Sequence, residues 1–455
     1  MELKILKNYD QSLQNWLQQK RIECGLNVKR IPFNLCNDWK FVDGVLEHST
    51  KRFFSIKGFR VESNLPHLRY HEQPIIDQPE IGILGFLIAK KESTWHWLIQ
   101  AKVEPGNVLK VQAAPTVQAT KSNYEMVHKG LPTPFLEYFL DSGKSGFNLD
   151  TDVEQSEQGD RFLNKYNRNC TVIISNIDEI FEYTIYKWFS ADIVRAALLH
   201  DFMINTDARS VIFCSDWSKL VQDGETPFCK WNKSNGFGKK LYQSYNNHSS
   251  VYFIEEILEK IEMKRRSVEF ITETIPLHQL KSWRTTKDRI ESSDPDAPFF
   301  VQQYLVSVKN REVENWCQPL LETSREVQIA LICCEISGIL HFYFRFAPEQ
   351  GFKNKVQLAP SYISDPSHMC VEWCKTALRD NSTIQHANVY QSDEGGRFMH
   401  SIAGYGIFEA DPKWADVHDT NGIWLTLNQL HTLRSYKGYL TNEARSLLSI
   451  LLAWA

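Results

Sequence analysis

Long stretches of this 455-residue chain occur twice. His96-Trp-Leu-Ile-Gln100 returns as His341-Phe-Tyr-Phe-Arg345, and Val111-Gln-Ala-Ala-Pro115 as Val356-Gln-Leu-Ala-Pro360. Gln73-Pro74 returns as Gln318-Pro319, and Glu104 and Gly106 as Glu349 and Gly351, all at an offset of 245. Further on the offset is 236: Gln155-Ser156 matches Gln391-Ser392, Arg161-Phe162 matches Arg397-Phe398, and Ala208-Arg209-Ser210 matches Ala444-Arg445-Ser446. Upstream, Ile31-Pro32 and Trp39 match Ile275-Pro276 and Trp283 at 244. An ordered series with so few gaps is the signature of internal duplication, and it requires each copy to take the same fold. The organisation expected is an N-terminal helical segment (1–27), a first repeat (28–215), a connector with a helix (216–271) and a second repeat (272–455).

Within each copy the periodicity changes. Ile81 to Ala89 and Val327 to Cys333 are continuous apolar runs, which suit strands buried on both faces. Trp95 to Val103 also reads as a strand, whereas Ile193, Val194, Ala197 and Leu198 fall at helical spacing. Leu13, Trp16 and Leu17 predict an N-terminal helix. In the connector, Asn232 to Gly238 reads as a polar loop, and Ile254, Ile257, Leu258 and Ile261 predict a helix packed between the repeats. The fold class is α+β, with mixed sheets and flanking helices.

The balance of 42% hydrophobic and 23% charged residues is that of a soluble globular protein, and a net charge of -4 gives no reason to expect nucleic acid or an anionic membrane as partner. No apolar run approaches a membrane span, and Met1 to Lys4 lacks the start of a signal peptide. Ten cysteines form no disulfide or zinc framework, which points to reduced thiols in a cytoplasmic protein.

Familiar phosphate cradles are missing. Gly143-Lys144-Ser145 ends like a P-loop, but Tyr138 holds the earlier glycine position, and no Gly-x-Gly-x-x-Gly follows a strand. Three polar groups of residues stand out. In an extended chain Gln100, Lys102 and Glu104 share one face, as a sugar site or as a cross-strand ion pair at the surface. Thr116, Gln118, Ser122, Asn123 and Tyr124 lie in a stretch dense in hydroxyls and amides, suited to a polar ligand or to a capped loop. Gln155, Glu157 and Arg161, with Arg397 in the second copy, combine carboxylate and guanidinium, for gripping a pyrophosphate or for pairing among themselves. His96 and His341, inside apolar strands, read as core hydrogen bonders. Asp207, recurring as Glu443, reads as an ion pair or a helix start. The copies are unequal: Lys102 becomes Ala347, Glu80 becomes Arg325 and Gln78 becomes Thr323. The first copy is therefore expected to be catalytic and the second structural or accessory.

Phe53 to Glu62, Gln73 to Gly85, Gln100 to Asn107, Pro115 to Tyr124, Gln155 to Gly159 and Asn205 to Arg209 together resemble the nucleoside-diphosphate-hexose 2,3-dehydratases, over nearly the whole chain. The resemblance implies a tandem duplication of Nudix-like domains, a homodimer, and no metal or redox cofactor. It implies as substrate a nucleotide-linked 4-keto-6-deoxyhexose, usually dTDP-4-keto-6-deoxy-D-glucose. Substrate contacts are then expected from Gln73, Gln78, Gln100, Thr116, Gln118, Ser122, Asn123, Gln155, Glu157, Arg161, Arg209 and Arg397. Such a reaction needs a base for the C3 proton, an acid for the C2 hydroxyl and a donor for the enolate. Glu104 is the expected base, Tyr124 the acid or donor, and Lys102 the enolate stabiliser. Two other readings are a 3,4-ketoisomerase and a nucleotide-sugar-binding protein without catalysis.

Overall fold

The apolar run predicted from Ile81 forms a strand with eight consecutive buried residues. A computed structural model describes residues 2–7, 10–120, 132–140, 148–180, 183–247, 250–309, 313–366, 368–369, 371–417 and 419–455. The expected site residues Ser122, Asn123 and Tyr124, and the turn at Gly143, lie outside the described residues.

Strands of the first half are β1 (Asn27–Ile31), β2 (Trp39–Val42), β3 (Val45–His48), β4 (Ser55–Ser63), β5 (Tyr70–Asp77), β6 (Gly82–Lys91), β7 (Thr94–Val103), β8 (Val111–Ala114), β9 (Val117–Ala119), β10 (Asn148–Ser156), β11 (Tyr166–Ile174) and β12 (Tyr186–Ser190). Those of the second are β13 (Phe270–Ile275), β14 (Trp283–Thr285), β15 (Arg289–Ser292), β16 (Phe299–Ser307), β17 (Asn315–Thr323), β18 (Val327–Ile336), β19 (Ile339–Pro348), β20 (Val356–Ala359), β21 (Tyr362–Ile363), β22 (Ile384–Ser392), β23 (Phe398–Met399), β24 (Ile402–Glu409) and β25 (Gly422–Thr426). The helices that matter here are α1 (Ser12–Glu23), α2 (Ala191–Ala197), α3 (Thr206–Cys214), α4 (Phe237–Asn246), α5 (Ile254–Ser267), α6 (Leu427–Leu433) and α7 (Asn442–Leu451). The architecture is mixed α+β. Among the described residues no helix is long and apolar enough to cross a membrane.

Each half holds a seven-stranded mixed sheet. One runs β10-β11-β6-β7-β12, with β8 on β7 and β9 on β6. The other runs β20-β19-β18-β24-β22, with β21 on β18 and β25 on β19. Each sheet has one parallel pair, β11 with β6 and β24 with β18, and Asn169 faces Leu84 where Tyr405 faces Ile329. One face of both sheets packs on α3 and α7 in a shared apolar core.

The smaller sheets exchange strands. β1 of the first half pairs with β16 of the second, from Asn27 opposite Ser307 to Ile31 opposite Gln303. β13 of the second half pairs with β4 of the first, from Phe270 opposite Ser63 to Ile275 opposite Gly58. The pairing therefore crosses the boundaries read from the sequence. A register of offsets reveals which segments are alike, but not which neighbour each one chooses.

Further contacts lock the halves. Arg209 of α3 and Arg445 of α7 are almost completely buried. Arg209 donates to Ser449 Oγ (3.2 Å) and to the carbonyls of Leu198 and Ile204. Arg445 donates to Ser210 Oγ (2.8 Å), the Ser156 carbonyl (2.7 Å) and the Leu440 carbonyl. The turns after β7 and β19 also touch the opposite half: Gly106 N donates to Gly395 O at 2.8 Å and Gly351 N to Gly159 O at 2.7 Å. A Cβ on Gly106 would stand 1.7 Å from Phe398 O, so no larger residue fits that approach.

Both predicted helices outside the repeats form. α1 and α5 bury Leu13 and Leu17, and Ile257 and Ile261. Arg21 donates to Val111 O (3.1 Å) and Arg265 to Val356 O (3.0 Å), so each helix is fastened to an edge strand of a sheet. The expected loop at Asn232 ends sooner than its composition suggests, because α4 starts at Phe237; that ring stacks on His386 at 3.7 Å and Ser244 bonds Leu340 O. His96 and His341 bond the carbonyls of Thr94 and Ile339 within their own strands.

Removing one crossing guanidinium strands buried carbonyls. Arg209→Met or Arg445→Met should lower unfolding free energy by about 3 kcal/mol in a denaturant titration. A similar change at the exposed Lys29 should leave it within about 0.5 kcal/mol.

Candidate functional site

Glu104 follows the end of β7, and its side chain is buried. Gln118 of β9 donates to its Oε1 at 3.0 Å, and Asn107 to its Oε2 at 3.3 Å. The orientation of the Gln118 amide follows from its neighbours. Asn205 accepts the Ala208 backbone N–H as the cap of α3, which leaves its amine to donate to Gln118 Oε1 at 3.0 Å. The Gln118 amine must then face Glu104. Lys102 completes the group by donating to the Gln118 carbonyl at 3.2 Å. Lys102, Glu104 and Gln118 are thus brought together, and the surface ion-pair alternative does not hold for a carboxylate this buried.

Three more carboxyl groups gather here. Glu157 directly follows β10 and accepts from Asn167 (2.8 Å) and from Asn442 of the second half (2.9 Å). Asp207 lies in the first turn of α3. Burial pushes its carboxyl well above the usual range, reinforced by Glu394, Glu157 and Glu104 and opposed by Lys102. Burial also raises Glu157, with Arg445 acting against it. Lys165, buried, is pushed down by desolvation and drawn back by Glu157 and Glu394. Its ammonium bonds the Glu80 carbonyl. Arg397 arrives from the second half, lies 4.3 Å over the Phe54 ring and donates to Gln78 Oε1 at 3.0 Å.

Other expected contacts are committed to the fold. Thr116 is fully buried, donates to Leu98 O and accepts from Leu87 N. Gln155 spans to the carbonyls of Arg434 and Tyr436, and Arg209 holds α3 against α7. Gln73 donates to the Asp160 carbonyl, and Gln100 to the Tyr186 hydroxyl at 3.0 Å.

Arg161 serves the other half. It pairs with Asp160 at 2.6 Å, lies 4.8 Å over the Phe299 ring, and lines a cavity together with Asp365, His368, Asp393, Tyr405 and Glu443. By the sequence offsets, Arg161, Asp393, Tyr405 and Glu443 correspond to Arg397, Glu157, Asn169 and Asp207. The two groupings differ in charge-bearing chemistry. Lys102, Lys165, Gln118 and Glu394 near the first half correspond to Ala347, Ser401, Ile363 and Gln158 near the second. Sequence reading missed Lys165 and Glu394. The available signal was the replacement of Gln158 by Glu394 between the matching Gln-Ser and Arg-Phe pairs of the two copies.

A family model described as NDP-hexose 2,3-dehydratase matches residues 10–214 and 254–451. A dTDP-4-dehydro-6-deoxy-alpha-D-glucopyranose 2,3-dehydratase of Saccharopolyspora spinosa is 33% identical, covering 96% of this chain and 90% of its own. Proteins of the same description from Amycolatopsis orientalis and Streptomyces violaceoruber are 32% and 30% identical, covering 97% and 95% of this chain and 89% and 95% of theirs. A crystal structure of an ADP compounds hydrolase overlaps 32% of this chain and 81% of its own, at 13% identity and a TM-score of 0.20, too slight a likeness to bear on the fold.

Asp393 gives the cavity of the second half a pH signature. Burial raises its carboxyl to about 6, against hydrogen bonding from Ser401. The folded state then holds a proton that the unfolded chain has released, so this group's stabilisation is complete at low pH and is lost as pH rises through about 6. Asp393→Asn should remove that fall from a pH series of unfolding midpoints; an unchanged slope would exclude Asp393 as its source.

Proposed function

The chain belongs to the NDP-hexose 2,3-dehydratase family, and from that premise we propose that the cluster around Glu104 removes water across C2 and C3 of dTDP-4-keto-6-deoxy-D-glucose. The observation that carries this is the joint hold of Gln118 on Lys102 and Glu104, which sets a cation and a carboxylate beside each other at the end of β7.

The substrate's own ketone makes the chemistry accessible. The C4 carbonyl acidifies the hydrogen on C3. In this reading Glu104 takes that proton, and negative charge collects on the C4 oxygen, where Lys102 stabilises it. The carbonyl then re-forms, a C2–C3 double bond appears, and the C2 hydroxyl leaves as water once protonated. The resulting enol tautomerises to the 3,4-diketo-2,6-dideoxy sugar. The ketone is the electron sink, so the balance calls for no oxidant. Arg397 and Gln78 supply donors for the nucleotide's phosphates or the sugar, and Tyr124 stays in the reading as acid or enolate donor.

The two halves are, on this reading, a tandem duplication of one Nudix-like unit. The matching offsets, the equal strand ladders and the double match to one family model support it. The family resemblance further suggests a homodimer working in the cytoplasm.

Incubation with dTDP-4-keto-6-deoxyglucose, followed by mass spectrometry, should show loss of one water. Unchanged mass with a moved keto group would indicate a 3,4-ketoisomerase, and unchanged nucleotide-sugar that still stabilises the protein would indicate binding alone. Lys102→Met should lower kcat by about 100-fold with KM little altered, the pattern of a contact strongest in the transition state.

A further inference from the structure

Dehydration moves two protons, yet the cluster built by the first half alone holds its carboxyl groups deep. Glu104, Glu157 and Asp207 are each nearly inaccessible. Of the four carboxyl groups brought together, Glu394 is the one that is only half-buried, and it belongs to the second half.

Backbone contacts seat Glu394 there. Gly395 O accepts from Gly106 N at 2.8 Å, and Gly106 O accepts from His400 N at 2.9 Å. These bonds press the turn at 394–400 onto the turn that carries Glu104. A Cβ on Gly396 would stand 3.2 Å from Glu394 Oε1 and 3.8 Å from Glu104 Oε1, so both carboxyl groups border the same small space.

We propose that Glu394 is the acid of the first half's site, giving a proton to the departing C2 hydroxyl while Glu104 takes the proton from C3. The inference rests on the dehydratase reading of that site. Glu104 gains the C3 proton and the C–H electrons pass to the C4 oxygen. As the carbonyl re-forms, the C2–O bond breaks toward oxygen, and the Glu394 proton completes water. The pair ends with one proton moved from Glu394 to Glu104. Ketonisation adds a proton to C2 and releases the one on the C3 oxygen, so the total is unchanged.

Independent observations point the same way. Carboxyl groups crowded together share protons, and burial with Glu394, Glu157 and Glu104 nearby pushes the Asp207 carboxyl well above its usual range. Asn169 is 1% exposed and leaves Oδ1 without a partner, at the ladder position where Tyr405 lines the cavity of the second half. The first half thus keeps a buried, unpartnered acceptor at the position of that tyrosine. The counterpart of Glu394 is Gln158, whose amide cannot serve as a general acid.

Glu394→Gln separates the two proton transfers. Three quantities are measured on the full-length chain: exchange of the C3 hydrogen in deuterated water, loss of water from dTDP-4-keto-6-deoxyglucose, and dTDP affinity. The variant should exchange C3 at close to the wild-type rate and bind dTDP normally, yet eliminate water about 100-fold more slowly. Glu394→Asp should recover part of that loss. Gly396→Ala, which wedges a methyl between the carboxyl groups, should slow elimination likewise. Elimination at the wild-type rate in Glu394→Gln would overturn the assignment. Loss of C3 exchange with dTDP affinity intact would overturn it too, by making Glu394 the base. A wild-type chain that neither exchanges nor eliminates would instead defeat the dehydratase reading beneath it.

Discussion

A guanidinium without water must find all its partners in protein, and two of them meet that demand where α3 crosses α7. Arg209 reaches Ser449 and Arg445 reaches Ser210 and the Ser156 carbonyl, so each charge is satisfied partly by the other half. Losing either would leave carbonyls and hydroxyls buried without donors. This fixes the rotation of one half against the other. The turns at 104–107 and 394–400 meet as a result, and the carboxyl groups of both halves come to one place.

That geometry suits a reaction whose charge appears on an oxygen. Lys102 and Lys165 stand among carboxyl groups in a largely buried setting, where charge interacts more strongly than in water. The cavity of the second half has carboxyl groups at two matching positions, Asp393 and Glu443, but Gln158 where the first half has Glu394 and Ser401 where it has Lys165, and Ala347 stands at the position of Lys102. The two halves present similar sheets, and the difference between them is concentrated in a few side chains near the ends of corresponding strands.

The strands and helices were legible in the sequence because apolar periodicity reports burial directly. Ile81 to Ala89 and the spacing of Ile254, Ile257 and Ile261 needed no tertiary information. The exchange of β1 and β13 was invisible, since an offset identifies equivalents and not partners. The site was half legible. Lys102, Glu104 and Gln118 stood out by residue type and do converge. Thr116, Gln155 and Arg209 stood out in the same way but satisfy backbone groups, and a polar side chain looks alike in sequence whether it serves a ligand or a carbonyl. Glu394 was overlooked because it sits in the half that seemed less equipped.

The strand exchange also sets a timetable for the nascent chain. During synthesis β4 is complete early, but the edge that β13 covers stays open until residue 275 has been made. β1 waits longer, because its partner ends at Ser307. Both pairings close loops spanning a large part of the chain, the slow and entropically costly kind of contact. Through that interval an unpaired edge and a loose strand face the ribosome's surroundings, and they are complementary to the same elements on a neighbouring molecule. Closure within one chain therefore has pairing between chains as its competitor, and the length of that interval sets how long the two compete.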